Sequence, residues 1–133
     1  MDLRERRNLI VTVANPEKHL DYVVDLKGHT AYPGSGDSAS QVEVRYIPDR
    51  LIMQAGAFDA YLNTLGTLEW SSVEELATTI LNDLSNELVC RWVQIMVSAP
   101  ENAHASVDRH NVLIEDQQPG WSNPRLIDHL KRR

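Results

Sequence analysis

The sequence predicts an α+β layer fold, a four-stranded antiparallel sheet covered on one face by two helices. Three observations predict it: two alternating, strand-like segments precede a pair of helical segments, and further extended segments follow them. One of the helical segments carries an unbroken apolar stripe. The 133 residues are 42% hydrophobic and 24% charged, globular proportions that need no disulfide or metal to complete a core. A single domain over residues 1–133 is expected, with 1–14 an N-terminal extension or strand and 124–133 a C-terminal helix or tail.

Taking the elements in order, Tyr22, Val24 and Leu26 alternate with Asp21, Asp25 and Lys27, and Val42, Val44 and Tyr46 alternate with Gln41, Glu43 and Arg45. Each pattern reads as a strand with one wet face. Between them His29 to Ser40 holds Pro33, Gly34, Ser35, Gly36, Asp37 and Ser38, turn formers that predict a loop throughout. After Pro48 the period changes. Phe58, Tyr61, Leu62 and Leu65 fall at i, i+3, i+4 and i+7, one face of a short helix ending near Gly66. Ser72 and Glu75 then form a capping box, and Val73, Leu76, Ala77, Ile80, Leu81, Leu84 and Leu88 form the apolar stripe of a second helix. Val93, Ile95 and Val97 predict a third strand stopped by Pro100, and a fourth runs from about His104 to Ile114. Gln117 to Asn123 is a loop, and Pro124 to Lys131 makes a terminal helix with Leu126, Ile127 and Leu130 inward. A sheet of this kind has open edges, so a core completed by oligomerisation is expected.

Several functions are set aside at this level. A net charge of −6 disfavours general nucleic-acid binding through phosphate neutralisation. No apolar run reaches the ~20 residues of a membrane span, and a lone cysteine, Cys90, forms no internal disulfide and suits a reducing, cytoplasmic setting. The chain holds no Walker loop, G-x-S-x-G, H-E-x-x-H or C-x-x-C motif. Its five histidines share no i, i+4 spacing, so the sequence points to no metal. Cys90 sits between the second helix and the third strand, beside Val89 and Trp92, which fits an inert buried thiol. The turn Pro33–Ser38 is a surface loop or an amide cradle for an anion. Glu75 has a structural part in the capping box and at the helix dipole; Glu74 is not required by either.

Tyr46-Ile47-Pro48-Asp49, then Tyr61-Leu62-Asn63, then Asn82-Asp83-Leu84 resemble the spine of the 7-cyano-7-deazaguanine reductases, the nitrile reductases of queuosine biosynthesis. Those enzymes read Y-I-P-D, then E-S-K-S-x-K-x-Y-L, then H-E and N-D-L at similar spacing. Asn15-Pro16, Asp21-Tyr22, Ala31-Tyr32-Pro33 with Gly36, Ser106-Val107-Asp108 and Pro119-Gly120 fall into register as well. The resemblance runs from about Asn15 to Leu130. It implies the tunnelling fold, whose subunits associate into a barrel, here a homo-oligomer such as a pentamer or decamer, with sites between neighbours. It also implies a small purine-, pterin- or deazaguanine-like ligand anchored by a glutamate, because a carboxylate accepts two parallel hydrogen bonds from a guanine-type edge.

In that register the family's H-E pair falls on Val73 and Glu74, so the glutamate is present and its histidine is not. The nucleophilic cysteine falls on Tyr32, a phenol that is mostly protonated at neutral pH. The family aspartate matches Asp37, with Ser38 competing for the position. The E-S-K-S-x-K cofactor motif falls on Gln54-Ala55-Gly56-Ala57-Phe58-Asp59, which removes both lysines that would meet the NADPH phosphates. The resemblance therefore implies Glu74, Gln54 and Ser38 as ligand contacts, Asp37 and Tyr32 as catalytic candidates, and no NADPH cofactor. It leaves three expectations open: a non-reductive enzyme on a deazaguanine- or purine-like substrate, a non-catalytic ligand-binding or structural subunit, or a reductase with an unaligned nucleophile such as Cys90.

Overall fold

The computed structural model describes residues 1–31, 39–100 and 103–131. Its central sheet runs in the order β2 (Val24–Ala31), β3 (Ala39–Ile47), β5 (Trp92–Ser98) and β6 (Asn111–Gln117), every neighbour antiparallel. The α+β layer expected from the periodicity is present. Alternation places Val42, Val44, Tyr46, Val93, Ile95 and Val97 on one face, all buried. Against that face lie α2 (Ala55–Leu65) and α3 (Val73–Leu88), whose Phe58, Tyr61, Leu62, Leu76, Ile80 and Leu84 complete one core. Burying one Leu- or Val-sized side chain stabilises by roughly 1.5–3 kcal/mol, so this shared face dominates the fold.

The β2–β3 pairing extends further than the turn formers suggested. His29, Thr30 and Ala31 pair with Gln41, Ser40 and Ala39, so these five of the twelve residues expected as loop besides Gln41 belong to strands. The reason lies in what faces the helices. A Cβ at Gly28 would stand 2.6 Å from Leu62 Cδ1, and Thr30 Oγ1 donates to the Leu62 carbonyl at 2.6 Å. Small and polar residues at inward positions let α2 approach closely and erase the apolar alternation from the sequence.

Two more expectations shift. The last strand begins at Asn111 rather than near His104, because the chain before it turns: Val107 N–H donates to the His104 carbonyl and Ala99 N–H to the His110 carbonyl. The N-terminal segment holds a helix and a strand, α1 (Leu3–Asn8) and β1 (Thr12–Ala14), and β1 pairs with β4 (Leu51–Met53) in a separate two-stranded ribbon. Three-residue strands are too short to show a period. The terminal helix α4 (Pro124–Lys131) forms where expected, and its Leu130 packs with Ile47 and Trp92 on the sheet face opposite α2 and α3. No helix among the described residues is long and apolar enough to cross a membrane.

Candidate functional site

The capped start of α3 lies beside the end of the sheet, and the space between them is an open cleft of about 630 Å³. Ser72 Oγ accepts from the Glu75 N–H at 3.0 Å. The Glu75 carboxylate reaches back to the Ser71 N–H and hydroxyl rather than to the Ser72 N–H of a standard box. This fixes Ser71, Ser72 and Val73 as one wall of the cleft. The chain leaving Ser98 supplies the opposite wall with His104, Asp108, Arg109 and His110.

Glu74 follows Val73 of this wall; it is not itself a lining residue and meets the cleft through its contact with His110. Its carboxylate Oε1 lies 2.9 Å from His110 Nε2, with the two side chains 61% and 40% exposed. Half-open to solvent, the carboxylate keeps acceptor capacity on both oxygens. The structure thus puts an imidazole on Glu74 from the β5–β6 connection, although position 73, where the H-E pair would have it, is a buried valine. Sequence reasoning missed His110 because its proximity to Glu74 depends on the β5–β6 register and on no local spacing.

Of the other expected site residues, Gln54 is the exposed N-cap of α2 with no side-chain capping bond, and it is not part of the cleft lining. Tyr32, Asp37, Ser38 and the rest of the Pro33–Ser38 turn lie outside the described residues; Ala39, which follows them, lines the cleft. The first turn of α2, onto which the cofactor motif falls, carries no acidic residue, and Gly56 and Asp59 are exposed.

Cys90 is buried at 6% exposure in the helix-side core. Burial pushes its thiol up to about 12, so the thiolate a nucleophile requires is scarce at neutral pH. A second polar centre lies away from the cleft. Asp83, fully buried on α3, accepts from Arg6 Nε at 2.5 Å, Arg7 Nε at 2.9 Å and the Tyr61 hydroxyl at 2.6 Å. Burial by itself would raise the Asp83 carboxyl, but the bonds from Arg6, Tyr61 and Arg7 outweigh it and hold the group below the usual carboxylate range. Burial and the Asp83 charge push the Tyr61 phenol far above its ordinary value. A carboxylate saturated this way anchors α1 to α3 and has no lone pair to offer a ligand. Among the described residues no three His, Cys, Asp or Glu side chains gather as a metal site.

Comparison with known proteins bears on the fold. No family model matches the chain and no curated protein matches it. Among solved structures, 34 chains match. One is a crystal structure of the archaeosine synthase QueF-Like in the apo form, with a TM-score of 0.54 and 19% identity, over 71% of this chain and 90% of that one. The chain has a QueF-like fold. That agrees with the tunnelling-fold layer implied by Tyr46–Asp49, Tyr61–Asn63 and Asn82–Leu84. In this QueF-like fold those segments are structural: Tyr46 and Tyr61 are core residues, and Asp83 is the α1 anchor.

Proposed function

We propose that the chain binds a small purine-, pterin- or deazaguanine-like heterocycle in the cleft beside Glu74, at the boundary with a second copy of itself, and that it does not reduce nitriles with NADPH. The observation that carries this reading is the exposed Glu74 carboxylate paired with His110, a residue that lines a polar cleft. A ring N–H and its neighbouring exocyclic amine fit the two carboxylate oxygens as parallel donors, and the imidazole lies against one of those oxygens. The QueF-like fold supports the reading at the level of architecture.

A carboxylate this exposed needs a further wall to exclude water from the ligand, and the neighbouring copy supplies it. In that arrangement Gln54, which does not line its own chain's cleft, contacts the ligand of the adjacent subunit. Asp37 acts as acid or base, Tyr32 stacks on or hydrogen-bonds the ring, and Ser38 adds a ligand contact. The chemistry is non-reductive: the segment Gln54–Asp59 brings no cation to an NADPH phosphate, and the one thiol of the chain is inside the core.

One observation favours a second reading, a non-catalytic tunnelling-fold subunit. Glu74 sits in the first turn of α3, where a carboxylate complements the helix dipole without any ligand. The remaining alternative, a reductase using Cys90, is marked by NADPH oxidation on a deazaguanine nitrile that is lost in Cys90→Ala. Calorimetry and equilibrium dialysis with guanine, pterin and 7-deazaguanine separate these readings. Binding at micromolar ligand, weakened in Glu74→Gln by the ~1.5–3 kcal/mol of a charged hydrogen-bonded contact, is the expected result. No binding of any of the three leaves Glu74 as a helix-start charge.

A further inference from the structure

The open face of the sheet changes character toward the cleft. In its middle, Arg45 of β3 lies 3.6 Å from the Asp25 carboxylate and 3.2 Å from that of Glu43, and Glu115 of β6 accepts from Trp92 Nε1 at 2.8 Å. Those groups pair their charges and polar atoms with one another, although Arg45 Nε itself has no hydrogen-bond partner among the described residues. The row at the cleft end is of another kind. Gln41 pairs in register with Ser98, and Ser98 with Asn111. The three side chains therefore project from the same face, neighbours about 4.8 Å apart across three strands. All three line the cleft, and none is charged.

We propose that Gln41, Ser98 and Asn111 determine specificity in this cleft by donating hydrogen bonds to an acceptor edge of the ligand ring, while Glu74 takes the donor edge. The proposal rests on the heterocycle reading given above and adds to it the side of the ring that the row recognises. Two carboxamides and a hydroxyl are matched to a heteroaromatic nitrogen or carbonyl, because each offers an N–H or O–H donor without a net charge. Asn111 follows His110, the residue beside Glu74, so one end of the row adjoins the group that meets the carboxylate. Strand side chains also hold their spacing better than loop side chains, which suits discrimination between similar rings. A site that hydrogen-bonds a ring atom disfavours the analogue lacking it, because the site's polar groups are left unpaired.

Guanine and 7-deazaguanine share the donor edge read by Glu74 and differ at the ring-nitrogen acceptor, which is a C–H in the second. The test is equilibrium dialysis of both bases against the wild-type protein and the Gln41→Ala, Asn111→Ala and Glu74→Gln variants, with circular dichroism confirming that each is folded. The wild-type protein is expected to prefer guanine about five- to tenfold, the scale of one net hydrogen bond. The row variants lose that preference; Glu74→Gln weakens both bases alike and keeps it. Equal wild-type affinity for the two bases, or a preference that survives in both row variants, overturns the row's assignment while leaving the cleft reading in place. Binding of neither base by the wild-type protein overturns both.

Discussion

Cys90 and Asp83 show how burial decides what a reactive side chain does. The thiol sits against the core below the end of α3, and its raised pKa means that the native protein keeps it protonated well past the ordinary cysteine range. Iodoacetamide at pH 8 is expected to leave Cys90 unmodified in the native protein and to label it fully in urea; rapid native labelling would contradict the buried assignment. Asp83 behaves in the opposite sense. Its folded pKa lies below the unfolded value near 3.9, so the unfolded chain takes up the proton first as pH falls. The stability it contributes is present above about pH 4 and is lost as pH drops through its folded pKa. Removing the charge in Asp83→Asn leaves Arg6 and Arg7 without their acceptor, and the expected cost in urea unfolding is about 3–5 kcal/mol. The acid limb of the stability curve flattens in the variant. At this scale the sequence was legible for Glu74, singled out because the capping box did not need it. It was illegible for His110, Gln41, Ser98 and Asn111, whose meeting requires the register of three strands.

Elements whose termini carry their own chemistry were the easiest to read. The start of α3 follows from Ser72 and Glu75, and α4 from Pro124 with its three inward aliphatics. The end of α3 is less regular. Val89 adopts φ 47° and ψ 47°, a left-handed conformation that glycine takes without strain and a β-branched residue does not. Its side chain is 57% exposed, so little packing offsets the strain. Val89→Gly is expected to raise stability by about 1 kcal/mol, read as a shift of the denaturation midpoint at constant slope; a loss would contradict the strain argument. β2 was the hardest element to delimit, since Gly28 and Thr30 occupy inward positions where an aliphatic would have announced the strand. Gly28→Val places branched atoms where Leu62 already stands, and an overpacking cost of roughly 1–3 kcal/mol is expected in the same experiment.

For the whole molecule, the layer order was legible because each strand and helix has its own period, while the turn from Ala103 to His110 was not, because its residues alternate by chance like a strand. That turn makes the cleft. The sheet ends in two open edges, β2 and β6, within the described residues, and in a ring each edge pairs with its opposite number on the next copy. Light scattering at micromolar concentration is expected to give a mass several times that of the 15.1 kDa chain; a monomer would remove the shared wall from the proposed site. The central claim, a heterocycle held beside Glu74, is tested most directly by titrating guanine or 7-deazaguanine into isotope-labelled protein and following backbone amide resonances. Saturable shifts confined to Ser71–Glu74, Ser98, His110 and Asn111, and abolished in Glu74→Gln, are predicted. Shifts centred elsewhere, such as around α4, or no shifts at saturating ligand, would contradict the account.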